Sequence, residues 1–190
     1  MTVVDLKSGA REPWHGDQLA AYVLCEPDPR ITFVEEGHRY FAEGNELVSV
    51  TKLVNPNKNP FYRPGSANRG KSIHIMCALD AQGILDESTV AEEWKGYLEA
   101  FRGFVQEMRP TFIAYEQIVG HVGLGIAGRR DLLIQLPGDP DTLTDGMVLY
   151  LKKTGKYATT QLNGLELARR VSEVKKLAIA YHEKGELEVW

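Results

Sequence analysis

Three runs apolar enough to be buried strands each carry a carboxylate, and no other feature of the chain restricts its fold as much. They are "VVDLK" with Asp5, "TFIAYEQIV" with Glu116 and "GRRDLLIQL" with Asp131. A lone carboxylate at the head of an apolar strand is costly unless it is paired or bound to a metal, so the fold must supply a partner. In "VVDLK" one is built in. Side chains alternate along a strand, which puts Asp5 and Lys7 on one face and Val4 and Leu6 on the other. An acid and a lysine on one face, with the Leu6 carbonyl between them, can set a hard divalent cation and a positive charge beside a phosphate.

Around these runs, strand and helix patterns follow one another. Val3 to Leu6 reads as a strand, and Asp17 to Leu24 as a helix that places Gln18 and Tyr22, four residues apart, on one face. Ile31–Val34, His38–Ala42 and Glu46–Val50, separated by "EEG" and "EGN", read as a small antiparallel meander over 31–50. "NPNKNPFYRPGSANRG", Asn55 to Gly70, is dense in Pro, Asn and Gly and predicts a loop. A helix is expected from Lys71 to about Ala81. A longer one follows from a capping box at Thr89 and Glu92, with an apolar stripe of Val90, Trp94, Leu98, Phe101, Val105 and Met108, and stops at Arg109-Pro110. Thr111–Val119, Ala127–Leu136 and Met147–Lys152 are strand candidates, and Leu165 to about Tyr181 is again helical.

A chain of 190 residues is long enough for one domain with a real core, spanning 1–190. It has no apolar run of membrane-spanning length and no leader pattern, so the expected location is the cytoplasm, with no membrane partner. Cys25 and Cys77 have no metal-type spacing and read as ordinary thiols. The formal charge of −4 argues against indiscriminate coating of nucleic acid, yet is compatible with a basic groove beside an acidic metal site.

His74, one helical turn after Gly70 in "RGKSIH", completes a set. "RGKSIH", "EQIV" with "GIAGRRD", "VDLKSG" and "QLAAY" together resemble the motifs of PD-(D/E)xK nucleases, most closely the RecB-like exonucleases that include phage recombination nucleases and CRISPR-associated relatives. The resemblance implies an α/β, restriction-endonuclease-like core with a mixed central sheet flanked by helices. It implies metal ligands from His74, Asp131, Asp5 and the Leu6 carbonyl, holding Mg2+ or Mn2+, with Lys7 orienting or activating the attacking water. Glu116 is a further acidic catalytic residue, and Gln18 and Tyr22 contact DNA or support the site. Arg63, Arg69, Lys71, Arg129, Arg130, Lys152, Lys153 and Lys156 are candidates to track the DNA backbone. The CRISPR-associated relatives usually carry four cysteines on an iron–sulfur cluster; this chain has two, and no cluster is expected.

In that family the D-x-K and Q-x-x-x-Y segments follow the histidine and the acid, whereas here they come first. After Asp131 the chain offers "YLKKTG", with Tyr150 or Leu151 where a carboxylate should stand. The ordering is explained if residues 2–27 are transposed from between Gly138 and Asp139. Thr2 should then lie within roughly 10 Å of Gly138, and Glu26 should approach Asp139.

The expected function is a metal-dependent deoxyribonuclease, an exonuclease of recombination or repair in a bacterial or phage-infected cell, with DNA as partner and room for a recombination or replication protein. The alternative is a catalytically silent DNA-binding or interaction protein, and the distinguishing feature is whether Asp5 and Lys7 lie beside Asp131 and His74. A restriction-type endonuclease would need recognition elements for which the chain is short.

Overall fold

The computed structural model describes residues 1–56, 66–140, 143 and 145–184. Its centre is the N-terminal strand. β1 (Thr2–Lys7) is buried from Thr2 to Leu6 and lies between two later strands. It runs antiparallel to β6 (Ile126–Gln135), with Val4 opposite Leu132, and parallel to β7 (Asp145–Leu151), with Lys7 opposite Tyr150. Antiparallel and parallel neighbours on one strand make the sheet mixed. β8 (Tyr157–Leu162) closes one side against β7. β5 (Thr111–His121) runs antiparallel along the whole of β6, and the meander β2 (Ile31–Val34), β3 (Arg39–Ala42) and β4 (Asn45–Ser49) joins through β4, parallel to the start of β6.

Alternation along β1 divides the core in two. Val3 packs with α1 (His15–Leu24) and α5 (Gly164–Glu183), through Leu19, Leu167 and Val174, whereas Val4 and Leu6 pack with α3 (Ser66–Ala81) and α4 (Lys95–Met108), through Ile73, Leu98, Phe101 and Phe104. The result is an α/β architecture with an open mixed sheet flanked by helices. Cys25 and Cys77 are buried, free thiols, one in each core. Among the described residues no helix is long and apolar enough to cross a membrane.

Several local expectations are corrected. α3 begins at Ser66, inside the segment assigned to a loop; residues 57–65 of that segment, with Arg63, fall outside the described residues. The Thr89 and Glu92 capping box does not form. Asp86 caps a short 3-10 turn, Glu87–Thr89, a second turn spans Glu92–Trp94, and α4 starts only at Lys95. Its buried face includes Phe104, while Val105 and Met108 are half-buried. The helix ends as expected before Pro110, with Arg109 left-handed at φ 49°. β8 was not anticipated: "KKTGK" is a hairpin turn, with Gly155 at φ 75°.

The two proposed junctions of residues 2–27 fare differently. Thr2 Oγ1 donates to Asp139 Oδ2 at 3.0 Å, so the start of the block does sit at the Gly138 turn. Its end does not return there. α1 crosses the sheet obliquely, from His15 beside Tyr150 to Tyr22 beside Gly128, and delivers Glu26 to Gly120, with which it exchanges two backbone hydrogen bonds. Gly120 pairs with Ala127 at the opposite end of β6 from Asp139, on the order of 25–30 Å away.

Two glycines of α4 give opposite expectations. A Cβ on Gly96 would run into the Lys153 carbonyl oxygen of the β7–β8 turn, and backbone cannot step aside cheaply. Gly96→Ala should destabilise by about 3 kcal/mol or more. At Gly103 the nearest atom is the Tyr157 ring at 3.9 Å. Gly103→Ala should stabilise by about 0.5–1 kcal/mol through helix propensity, and urea melts of the pair would read both signs.

Candidate functional site

A fork in the sheet creates the site. One edge of β6 is taken throughout by β5, while the other is shared: β4 pairs at Ile126 and Ala127, β1 at Leu132 to Ile134. Between them β6 has no strand partner from Gly128 to Asp131 on that edge. Where the β1–β6 ladder gives out, the Leu6 N–H donates instead to the Asp131 carboxylate, at 2.6 Å to Oδ2. A side chain thus stands in for the next backbone acceptor.

Both strands lose their regular alternation at this level. Ile126 and Val119 pack in the core with α1, but Leu132 and Tyr115, an even number of residues further along, face the core with α3 and α4. On β5, Glu116 lies in this stretch at φ 43°, between Tyr115 (opposite Leu132) and Gln117 (opposite Arg130). A left-handed glutamate inside a strand costs on the order of 1–3 kcal/mol and is maintained only where surrounding structure compels it. Here it aims a carboxylate at the fork.

The fork opens into a cleft of about 370 Å³ whose lining includes Asp5, Lys7, Gln18, Tyr22, Lys71, His74, Glu116, Arg129 and Asp131. Nine expected site residues therefore meet in one place, from five separate elements. His74, on α3, puts Nδ1 at 3.1 Å from Asp131 Oδ1. His74, Glu116 and Asp131 each bring a ligating atom within 4.8 Å of the others'. Asp5 is not in this trio; its Oδ1 accepts from Lys7 Nζ at 2.7 Å. Of the expected ligands His74, Asp131, Asp5 and the Leu6 carbonyl, the trio contains the first two and adds Glu116. The Leu6 N–H bonds Asp131.

Gln18 and Tyr22 form the wall on α1. Gln18 Nε2 donates to the Tyr22 hydroxyl at 3.2 Å and to Thr51 Oγ1 at 3.1 Å, on the short helix α2 (Val50–Val54). The close approach of Tyr22 needs the glycine at 128, where a Cβ would lie 2.7 Å from the ring. Arg130 is corrected: only 4 % exposed, it donates to Gln117 Oε1 on the other face of β6 from Arg129, since neighbours on a strand point oppositely. Arg69 is exposed and outside the lining, and Lys152, Lys153 and Lys156 sit around the β7–β8 turn, at the same end of the sheet as Lys7 but outside the cleft. The sequence reading missed Glu35, His38, Tyr40, Ser49 and Thr51, which also line the cleft. Nothing in their spacing marks them, because the meander reaches the site only through the β4–β6 pairing.

The electrostatics are those of a buried acidic cluster beside an imidazole and an ammonium. Burial, reinforced by the neighbouring Asp131 charge and opposed by Lys7, pushes the Asp5 carboxyl up to about 6. Burial and Asp131 push Glu116 up to about 7. Burial works against the charged imidazole of His74, but the bonded Asp131 carboxylate more than offsets it and its pKa rises. Burial also disfavours the Asp131 charge, yet His74, Lys7 and the Leu6 N–H hold its pKa below the usual value. Among the described residues, buried Asp5 Oδ2 and Glu116 Oε1 have no hydrogen-bond partner. Unpaired acid oxygens beside an imidazole are what a divalent cation would satisfy, and oxygen-rich sets with one imidazole suit Mg2+ or Mn2+.

A pH prediction follows. Acids whose folded pKa is raised stabilise the fold below their unfolded pKa, and lose that contribution as pH rises through the folded value. Without metal, Asp5 and Glu116 should lower stability as pH climbs from about 4 to about 7. A bound cation replaces those protons and the one on His74, so its stabilisation grows with pH. The Mn2+-induced rise in Tm should be clearly larger at pH 8 than at pH 5.5, with protons released on binding. An equal rise at both would place the ion elsewhere.

No protein-family model matches this sequence, and no curated protein matches it.

Proposed function

We propose that the chain is a divalent-metal-dependent deoxyribonuclease, an exonuclease of recombination or repair that hydrolyses phosphodiesters in this cleft. One observation carries the reading: a histidine, two carboxylates within ligating distance and an Asp-x-Lys strand converge at the fork from α3, β5, β6 and β1. The pairing of the Asp-x-Lys strand against the Asp131 strand supports the same reading, as does its resemblance to the PD-(D/E)xK nucleases and their restriction-endonuclease-like core.

When bound by His74, Glu116 and Asp131, Mg2+ or Mn2+ supplies the positive charge that in-line attack on a phosphodiester requires. The chain's own groups do the rest. Asp5 fixes the Lys7 ammonium on the cleft wall, where it orients the attacking water and stabilises charge developing on the phosphoryl oxygens. The carboxylates accept the water's proton. Tyr22, its pKa raised by burial and by Asp5 and Asp131, stays a neutral hydrogen-bonding wall. Arg129 and Lys71 attract the polyanion at the mouth. Such an enzyme would act on cytoplasmic DNA, with a recombination or replication protein as a further partner.

The test is incubation of purified protein with linear single- and double-stranded DNA. Cleavage is expected with Mg2+ or Mn2+ and none with EDTA. A folded protein that binds DNA but cleaves neither form with either ion would support the silent-binder alternative.

A further inference from the structure

The hairpin between β2 and β3 brings Glu35, in its turn, to the lining of the cleft. One carboxylate oxygen is 2.5 Å from Lys71 Nζ on α3, and the other is 3.9 Å from Arg129 Nη2 on β6. Arg129 is itself held in place. Its guanidinium lies over the Phe33 ring at 4.5 Å, and its Nη1 is 3.9 Å from Oε2 of Glu116, a member of the proposed metal trio. Two cations from different elements, converging on one anionic group beside a metal position, form the geometry that a phosphate would use. Glu35 and Lys71 are both largely exposed, so the pair contributes little and is readily exchanged for a stronger anion. Phe33, His38 and Tyr40 meet edge to face or tilted across the hairpin, with ring centroids 5.0–5.5 Å apart, and brace its turn.

We infer that Glu35 holds the place of a nucleic-acid phosphate between Lys71 and Arg129, so that the hairpin is an acidic latch which a polynucleotide displaces on binding. The inference rests on the function proposed above and adds to it a phosphate subsite next to the metal trio and an internal competitor for that subsite.

The experiment is fluorescence anisotropy of a labelled single-stranded oligonucleotide, with Ca2+ in place of Mg2+ to suppress cleavage, across a salt series. Glu35→Gln should bind about three- to tenfold tighter than wild type, because an exposed competitor has been removed. Its affinity should also fall more steeply with salt, by about the one extra contact now made. The gain should vanish when Glu35→Gln is added to Lys71→Ala/Arg129→Ala, which a merely structural role for Glu35 would not produce. Unchanged or weaker binding by Glu35→Gln, or a gain that persists without the two cations, overturns the latch. Tighter binding by Glu35→Gln in a protein that cleaves no DNA with Mg2+ or Mn2+ would keep the latch and remove the nuclease. Absence of oligonucleotide binding by both proteins would remove both.

Discussion

Asp131→Ala should lower the rate of DNA cleavage by about a thousandfold or more, since a ligand to the charge-stabilising ion is worth several kcal/mol in the transition state. No other side chain serves as many purposes. Its Oδ1 faces His74 and its Oδ2 takes the Leu6 N–H at the fork. Removing it leaves that buried N–H without an acceptor, at a cost of about 1–3 kcal/mol. The same change relieves the repulsion that Asp131 exerts on Asp5 and Glu116, and this offsets part of the loss. The fold should therefore survive. Asp131→Asn separates the two roles, because an amide oxygen can still accept from Leu6 but is a poor ligand. It should melt close to wild type, with Mn2+ affinity and turnover both collapsed. Near-normal turnover in either variant would locate the chemistry outside this cleft.

Lys7→Met should cost about 100- to 1,000-fold in kcat, the usual range for losing one preorganised charge-stabilising group, while Mn2+ affinity changes little. An ammonium cannot ligate a cation, so a collapse of metal affinity would refute its assigned role. The variant also exposes the physics of the pair. Asp5 is 2 % exposed, and the Lys7 ammonium does most to hold its pKa down. Stripped of Lys7, Asp5 must either stay ionised at a cost of about 3–5 kcal/mol or take up a proton. It already titrates near 6, so protonation is the cheaper response, and its pKa should climb further. A raised acid pKa means stability present at low pH and lost as pH rises through the folded value. Lys7→Met should thus melt near wild type at pH 5 and well below it at pH 8. Asp5→Asn/Lys7→Met should recover the melting temperature at pH 8 without recovering turnover.

The sequence by itself determined the first strand and the parity of its side chains. The pattern of "VVDLK" predicts a buried strand with Asp5 and Lys7 on one face, and β1 is that strand, paired with the one bearing Asp131. Hydrophobic period and the cost of burying a charge are local properties, readable wherever a run is long enough. The same locality explains the misreadings. Gly70 and its proline-rich flank marked a loop, but α3 starts at Ser66 because Ile73, Met76 and Cys77 have a core to enter. "KKTGK" could be assigned to a turn only once Tyr157–Leu162 was known to pair with β7.

What only the tertiary structure decided is which groups face one another. The nearness of Glu116 to His74 and Asp131 involves a left-handed residue in β5, and the Asp5–Lys7 pair stands beside that trio. Arg129 and Arg130 are adjacent in sequence, and the pleat sends one to the cleft and the other to Gln117. Glu35 enters the site across a fork that exists because β4 and β1 share one edge of β6. Each of these is a relation between segments far apart along the chain. Their geometry is set by sheet pairing and helix crossing, which no periodicity within a single segment encodes.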